Sequence, residues 1–515
     1  MLFTSYKFIF IFLPVVLIGF YLVIRIHHKL AALWLCVASL IFYGYWNPKF
    51  VLLVLASVTF NYLMGLQLEK CKDSATSKIL FSISIAGNLG VLIYFKYGNF
   101  FISTMTSLTG LEGTFVNVAL PLGISIFTFT QITFLVDVYR GMACRYDFID
   151  YLLFVTYFPH LIAGPILHHK EMLPQISSLG IPKVQIEKLA IGLLVFSIGV
   201  GKKVFLADNF AEYASPVFDN AREGIQPAFM IAWAGTLAYT MQLYFDFSGY
   251  SDMAIGISLL FGVHLPINFN SPYKSHNIIE FWRRWHMTLS RFLRDYLYIP
   301  LGGNRKGRPR QNINIIITML LGGLWHGASW NFVAWGGLHG IFLLVNHGWD
   351  GLKKKLKLPV FPASTLLGRL GGTALTFVAV AIAWIFFRAE TWESAIAVLK
   401  GCFGINGIDV SIKSAAQLTI LYQQLQTAGF QALLTIGSES VSTLVFSDDQ
   451  IFFLLLGMGF LMIWTFPNTQ QITAFFFERK RSTYTLVSLG FLTGILFVVM
   501  WGQMHTVSPF IYYQF

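Results

Sequence analysis

The sequence predicts an all-α protein that crosses a membrane many times. Of its 515 residues, 56% are hydrophobic and only 12% are charged, whereas a soluble domain has roughly 25% charged residues. The mean hydropathy is +0.64, so the chain has too few polar side chains to cover a globule in water. These observations exclude a soluble enzyme, a fibrous protein and a disordered chain.

Apolar stretches that could span a bilayer recur along the whole chain. A transmembrane helix needs about 17 to 25 apolar residues. The sequence has such stretches at 8–24, 31–46, 50–66, 79–97, 115–136, 186–206, 228–246, 313–349, 370–388, 451–466 and 484–504. The stretch 313–349 is long enough for two helices, and shorter ones at 148–166 and 250–263 suit re-entrant or tilted helices. We therefore expect one membrane-embedded domain over 1–515 with about 11 to 14 membrane segments.

Neither a cleaved leader nor a disulfide framework is indicated. The first apolar run, Phe8 to Ile24, ends at Arg25 without a small-residue cleavage site, so we expect a retained transmembrane helix. The cysteines have no CxxC or Cys/His spacing, which argues against a thiolate metal site. They are Cys36, Cys71, Cys144 and Cys402.

The distribution of basic residues predicts the orientation. The chain has 36 Lys and Arg against 24 Asp and Glu, an excess that in a membrane protein marks cytoplasmic loops more often than nucleic-acid binding. Residues 270–310 hold nine basic residues and two acids, so we expect a cytoplasmic segment there. Residues 389–450 hold two basic residues and six acids, which predicts an extracytoplasmic loop.

A histidine lies deep in a predicted membrane hairpin. Basic residues flank the stretch from Arg310 to Lys353 on both sides, so both ends face the cytoplasm and the chain between them must cross an even number of times. His326, in the Gly-rich turn Leu321–Gly327, is then roughly 24 Å from Arg310 along the helix. An intramembrane imidazole is a candidate functional group, and its ordinary pKa suits proton transfer. A buried structural histidine is the alternative.

The predicted cytoplasmic segment contains a basic, aromatic helix over 280–296. Its aromatic and apolar residues recur at three- and four-residue steps, which predicts one apolar face on a helix at the membrane interface. Its four arginines either anchor the helix at the interface or hold the phosphates of a nucleotide-bearing donor. These candidate donor-binding residues are Arg283, Arg284, Arg291 and Arg294. His286 is in the same segment.

Two further polar clusters interrupt apolar sequence. Asp246 and Asp252 are six residues apart and so not on one helical face, which favours pairing with basic residues over a two-carboxylate catalytic site. His160 lies in the helix-breaking run FPHLIAGP, followed by His168 and His169. Three histidines invite a metal interpretation, but the ligand spacing is poor and we predict no metal. No phosphate-binding loop, dinucleotide fingerprint or GxSxG elbow is present.

Several of these stretches together resemble the membrane-bound O-acyltransferase family. Within it they resemble the bacterial branch of alginate and peptidoglycan O-acetyltransferases. The stretches that match are EFWRRWHMTLSRFLRDYLYIPLGGN at 280–304, TMLLGGLWHGASWNFVAWGGLHG at 318–340, QLYFDFSGYSDMAIG at 242–256, FPHLIAGP at 158–165 and LPLGISIFTFTQITFLVDVYRG at 120–141.

The resemblance implies a helical membrane enzyme with a central tunnel. It implies transfer of an acyl group, with acetyl as the expected one, from a cytoplasmic thioester such as acetyl-CoA to a hydroxyl on the other side of the membrane. His326 matches the family's catalytic histidine, and His286 and His160 match histidines that the family requires. We expect no permanently bound cofactor. Supporting roles are expected for Trp325, Asp246, Asp252 and Asn331.

The resemblance also implies a location and partners. The enzyme is expected in the bacterial inner membrane, with a secreted or periplasmic SGNH-type acetyltransferase that completes delivery to a polysaccharide such as alginate or peptidoglycan. The segment 389–450 matches no motif and is either a docking loop for that partner or a variable loop. A transporter or flippase for an envelope polymer precursor is the alternative function, and a non-catalytic scaffold is a third.

Overall fold

The protein is helical throughout the part of the chain that the structure describes. The computed structural model describes residues 1–72, 74–110, 119–142, 146–178, 186–356, 365–408 and 448–478, and the single positions 490, 494 and 511. Every regular element in these ranges is a helix. The predicted all-α membrane class is confirmed.

The helices follow one another closely along the chain. The first half contains α1 (Leu13–Val23), α2 (His28–Gly44), α3 (Lys49–Lys70), α4 (Ala75–Leu92), α5 (Gly98–Thr109), α6 (Ile124–Tyr139), α7 (Phe148–Thr156), α8 (Phe158–Leu161), α9 (His169–Ser177), α10 (Ile186–Gly201) and α11 (Asp208–Arg222). The second half contains α12 (Phe229–Leu260), α13 (Ile278–Arg284), α14 (Met287–Leu293), α15 (Gly307–His326), α16 (Trp330–Leu356), α17 (Leu366–Arg388), α18 (Trp392–Cys402), α19 (Asp448–Trp464) and α20 (Thr469–Glu478). Wider π-helical turns occur at Lys7–Phe12, Ile93–Tyr97, Lys202–Ala207 and Arg294–Tyr298.

Several of the described helices have the length and composition of membrane spans. In the described ranges, four segments have the required length and apolar composition: Lys49–Lys70, Ala75–Thr109, Lys188–Arg222 and Leu366–Arg388. A fifth exists if the pair Ile451–Trp464 and Thr469–Phe475, bent by 55°, is one span. Three shorter apolar helices add to these, namely Lys7–Val23, His28–Gly44 and Ile124–Tyr139. The predicted total of about 11 to 14 membrane segments, which includes re-entrant and tilted ones, stays a prediction. The predicted segment 484–504 lies outside the described ranges.

The centre of the molecule is the 32-residue helix α12. Its residues from 238 to 260 are nearly all buried, and a helix that is apolar on every face is typically enclosed by other helices. Glycines let it pack closely against α10, since a Cβ on Gly256 would lie 2.5 Å from the backbone nitrogen of Phe196. Small residues at helix contacts are usual in membrane proteins.

The sequence predicted two segments, 228–246 and 250–263, where the structure has this one helix. Asp246 and Asp252 were expected to interrupt the membrane segment. Instead they lie in the middle of α12 and form ion pairs with two lysines of the preceding π-helical turn. A buried carboxylate that has a cation beside it does not need to end a helix.

Helices α15 and α16 form the predicted hairpin. The chain reverses between His326 and Trp330, slightly after the predicted turn at 321–327, because the glycines of that stretch stay helical. They serve close packing: a Cβ on Gly323 would collide with the carbonyl oxygen of Phe332, and one on Gly336 with that of Met319. The two helices therefore cross with their backbones in contact.

The predicted basic helix over 280–296 is divided in two. Helix α13 ends at Arg284 and α14 begins at Met287, and His286 between them has φ 41° and ψ 54°. This left-handed conformation is unfavourable for a residue with a side chain and ends a regular helix. The cytoplasmic placement of 270–310 stays a prediction. In the predicted extracytoplasmic loop, residues 409–447 lie outside the described ranges.

Candidate active site

The hairpin carries His326 to an enclosed position. His326 is the last residue of α15, and Gly327 after it is extended. The residue is 3% exposed. The ring is enclosed by aromatic neighbours, with centroids 5.0 Å from Trp325, 5.0 Å from Trp335 and 5.1 Å from Phe387. Aromatic walls keep water out and strengthen electrostatic interactions at the imidazole.

A second histidine lies beside the first. The ring centroid of His286 is 6.2 Å from that of His326 and 6.1 Å from that of Trp325. His286 is buried, although the sequence placed it on an interfacial helix. The positive φ at His286 turns its side chain inward, so the break between α13 and α14 brings the two histidines together.

Asn268 orients His286. Its Oδ1 accepts hydrogen bonds from the Thr288 backbone N–H (3.3 Å) and the Thr288 hydroxyl (2.9 Å), and it lies 3.1 Å from His286 Nδ1. An oxygen can only accept, so Nδ1 carries the proton in the neutral ring and Nε2 is the basic nitrogen. The sequence analysis missed Asn268, which lies 18 residues before His286 in irregular chain.

One cavity is lined by His326, and a second, larger one is lined by residues next to His286 in the chain. The larger, about 670 Å³, is lined by Met287 and Thr288, the residues that follow His286. The smaller, about 90 Å³, is lined by Trp325 and His326 themselves. His326 therefore borders the smaller cavity directly, whereas neither imidazole is among the residues that line the larger one.

Three of the four candidate arginines line the larger cavity. They are Arg283, Arg291 and Arg294. Arg291 forms a bidentate pair with Glu171, one arm of which is 2.8 Å long. Arg294 is 2.7 Å from Asp295, and this hydrogen bond raises the pKa of Arg294, which keeps the guanidinium charged.

The fourth arginine has a different position. Arg284 pairs with Glu280 at 2.8 Å, one helical turn earlier, and also donates to the carbonyl oxygen of Asn270. It does not line the larger cavity. Arg284 thus differs from the other three arginines in its position relative to the larger cavity, a difference that the sequence alone did not predict.

Lys96 holds the end of the helix that carries His326. From the π-helical turn Ile93–Tyr97, its Nζ donates to the carbonyl oxygens of Trp325 (2.7 Å) and His326 (3.1 Å). The last carbonyl groups of a helix lack partners inside it and carry partial negative charge, so they attract a cation.

The neighbouring tyrosine completes this cap. The Tyr97 hydroxyl donates to the carbonyl oxygen of Leu324 at 2.9 Å. The sequence analysis missed both residues. A signal existed, because a lysine inside the apolar segment 79–97 is unusual and often functional.

The two aspartates lie in a separate cluster. Asp246 is 2.7 Å from Lys203, which is also 2.9 Å from Asp208. Asp252 is 2.6 Å from Lys202. These ion pairs agree with the hypothesis that the two aspartates pair with basic residues.

The remaining predicted residues hold the scaffold. His160, in the short helix α8, is buried, and its Nε2 lies 2.9 Å from the carbonyl oxygen of Phe154 in α7. Asn331 donates to the carbonyl oxygen of Ala389 at 2.8 Å and so ties the hairpin to the end of α17. Within the described ranges, no group of three or more His, Cys, Asp and Glu side chains could hold a metal ion.

Comparison with known proteins gives the family. Residues 80–385 match the membrane-bound O-acyltransferase family. The chain belongs to this family. A peptidoglycan O-acetyltransferase of Helicobacter pylori is 42% identical over 438 residues, which cover 80% of this chain and 81% of that protein.

Two further relatives of this O-acyltransferase are informative. A probable alginate O-acetylase of Pseudomonas aeruginosa is 40% identical over 426 residues, covering 81% of this chain and 78% of that protein. A teichoic acid D-alanyltransferase of Streptococcus thermophilus is 30% identical over 281 residues, covering 52% of this chain and 68% of that protein. The predicted family and the predicted enzyme class, an O-acyltransferase in a membrane, are confirmed.

Proposed function

We propose that this O-acyltransferase transfers an acetyl group from a thioester to a hydroxyl acceptor, for O-acetylation of an envelope or extracellular polysaccharide. The observation that carries the proposal is the pair His286 and His326, whose ring centroids are 6.2 Å apart. His326 lines the smaller cavity, and the two residues that follow His286 line the larger cavity with its arginines. Relatives that are about 40% identical and named for acetyl transfer to peptidoglycan and alginate support the choice of acyl group and acceptor.

His326 serves as the general base in this proposal. A hydroxyl is a poor nucleophile and a thioester carbonyl is a good electrophile, so removal of the hydroxyl proton is the main task of the protein. His326 takes this proton as the oxygen attacks the carbonyl carbon. The C–S bond then breaks, and the proton passes to the departing thiolate.

His286 assists from the donor side. The hydrogen bond to Asn268 sets its tautomer with Nε2 basic, and its backbone neighbours line the larger cavity. We assign His286 to positioning the thioester and the departing sulfur. Trp325, in contact with both histidine rings, separates this centre from the surroundings.

The larger cavity is the proposed donor site. Its arginines suit a phosphate-bearing thioester such as acetyl-CoA, because guanidinium groups form strong, charge-assisted hydrogen bonds to phosphate. The smaller cavity, about 90 Å³, has room for roughly three water molecules. That volume favours an acetyl group over a long acyl chain.

We place the enzyme in the bacterial inner membrane, with the donor in the cytoplasm. The acetyl group then passes between the faces while the donor stays on its own side. A secreted or periplasmic SGNH-type acetyltransferase is the proposed partner for the last transfer to the polymer. The segment 389–450, with six acids and two basic residues, is the candidate docking loop for this partner.

The test is label transfer by purified protein in nanodiscs. Radiolabelled acetyl-CoA is supplied with alginate or peptidoglycan oligosaccharides, with and without the SGNH-type partner. The wild-type protein is expected to release thiol and to transfer label to an acceptor. For His326→Ala we expect a transfer rate at least about 100-fold lower. His347→Ala, exposed on the same hairpin, is the matched control and should keep full activity. Equal rates for wild type and His326→Ala would contradict the proposal.

A further inference from the structure

Lys96 presents a positive charge next to His326. The three hydrogen-bond acceptors of its ammonium group are neutral oxygens, namely the carbonyls of Trp325 and His326 and the hydroxyl of Ser125 at 3.3 Å. Among the residues that the structure describes, no carboxylate forms an ion pair with it. A cation in an apolar helical segment is costly to maintain without a counter-charge, so this lysine calls for a functional explanation.

The ammonium group belongs to the smaller cavity. Lys96, Ser125 and His326 all line it, and apart from the histidine, Lys96 is the sole ionisable side chain among its lining residues. The π-helical turn Ile93–Tyr97 helps to place it there, since such turns are frequent at functional sites. A base and an uncompensated cation thus line the same small space.

Acyl transfer creates a negative charge in such a space. When the hydroxyl oxygen bonds to the thioester carbon, the carbonyl electrons move to the carbonyl oxygen, and the hydroxyl proton goes to His326. The resulting oxyanion collapses, the C–S bond breaks, and the thiolate leaves with the proton. Donors fixed in advance around the oxyanion lower the barrier more than donors that must first reorient.

We propose that Lys96, with Ser125, forms the oxyanion site of this acyltransferase. The inference rests on the proposed function, because it assigns a role within that reaction. The contact to Ser125 is the longest of the three hydrogen bonds of Lys96. It is therefore the one that gives way to a substrate oxygen, while the two carbonyl bonds hold the ammonium group in place.

The first test compares steady-state kinetics of variants. Lys96→Met keeps the chain length and removes the charge, and we expect kcat to fall about 100- to 1,000-fold while KM for acetyl-CoA changes less than about threefold. Lys96→Arg retains the charge and should recover part of kcat. Ser125→Ala should lower kcat about tenfold. Lys78→Met, at an exposed lysine of helix α4 that lines neither cavity, is the control and should behave as wild type.

The second test separates an oxyanion role from a structural one. Two donor analogues are used as probes: an acetyl-CoA thioether, which resembles the ground state, and a trifluoromethyl ketone analogue of acetyl-CoA, which forms a tetrahedral oxyanion. Removal of the charge should weaken binding of the ketone by the same factor as kcat and leave binding of the thioether unchanged. If Lys96→Met does not fold, Ser125→Ala and Lys96→Arg give the same comparison with smaller factors.

The outcomes are distinct. The oxyanion assignment would be overturned if wild type and Lys96→Met were equally active. It would also be overturned if every folded variant bound both analogues more weakly by the same factor. Either result would leave the proposed function intact. A wild type that transfers no acetyl with any donor or partner would instead overturn the proposed function. A selective loss of ketone binding supports both.

Discussion

Two groups of buried charged and polar side chains in this protein differ in how their charges are balanced. In the paired cluster, made of Lys202, Lys203, Asp208, Asp246 and Asp252, each lysine lies within 2.9 Å of a carboxylate. In the histidine site, made of His286, His326 and Lys96, the cation has neutral oxygens as its partners. The first arrangement balances its charges and holds helices together. The second leaves a positive charge where the reaction needs one.

The difference shows how to interpret polar residues in a membrane sequence. Asp246 and Asp252 interrupt an apolar run as clearly as His326 does, yet they serve the packing of α12 against the preceding π-helical turn. Each ionisable group in a membrane segment is a functional candidate, and the charge of its partner indicates whether its role is structural or chemical. A group balanced by an opposite charge holds the fold, whereas an unbalanced group beside a cavity is a candidate for chemistry.

The largest effect on stability is expected from Asp252→Asn. This change leaves the partly buried Lys202 beside Thr469 without its carboxylate, and breaking a fully buried pair costs about 3–5 kcal/mol, so we expect a loss near the lower end of that range. Asp246→Asn should cost less, because Lys203 keeps Asp208 at 2.9 Å. Thermal unfolding of the purified variants in detergent measures both.

Activity per folded molecule checks the structural role of this cluster. It should stay close to wild type in Asp252→Asn, since the cluster is separate from the histidine site. A stable variant with lost turnover would reverse the comparison. Replacing both partners, by Lys202→Met with Asp252→Leu, should restore much of the stability, because an apolar pair leaves no buried charge unpaired.

A smaller effect, on turnover, is expected from Asn268→Ala. Without the amide oxygen, His286 loses the hydrogen bond that sets its tautomer and orientation, and a misplaced catalytic group can cost about 100-fold in rate. Asn268→Asp keeps an accepting oxygen and should keep more of the activity. Measured kcat values for the two variants test this order, and equal kcat for Asn268→Ala and wild type would remove His286 from the mechanism.

The smallest effect is expected at the donor cavity. Arg283→Gln should raise KM for acetyl-CoA about tenfold, as expected for one lost charge-assisted hydrogen bond, with little change in kcat. The matched control is Arg284→Gln. Arg284 is next to Arg283 in the chain, but it pairs with Glu280 and does not line the cavity. If both arginines gave the same KM increase, the cavity would act through overall positive charge and not as a defined binding site.

Patterns within short stretches were sufficient to predict part of this site. The basic flanks of 310–353 predicted the hairpin, and the motif around His326 predicted the histidine at its reversal. Three of the four predicted donor arginines line one cavity, and the separation of Arg284 depends on its pair with Glu280. The helical class followed from composition and apolar run length.

The parts that were missed depend on contacts between distant residues. Lys96 acts on a carbonyl group 229 residues away in the chain, and a single sequence carries no record of that contact. The orientation of His286 depends on a hydrogen bond to Asn268 in irregular chain. Helical periodicity carries no information about that contact, so the sequence predicted this histidine at the interface. The sequence predicted two segments in place of helix α12 because the lysines that balance its two aspartates lie 43 and 50 residues earlier in the chain.

In the proposed mechanism, the acetyl group passes between the two membrane faces at the histidine pair. The direct test uses sealed vesicles that contain the protein, with radiolabelled acetyl-CoA outside and the acceptor that supports transfer in nanodiscs inside. We expect labelled acceptor inside the vesicles for wild type and none for His326→Ala, while acetyl-CoA stays outside. Labelled acceptor that forms only when donor and acceptor are on the same side would contradict this mechanism.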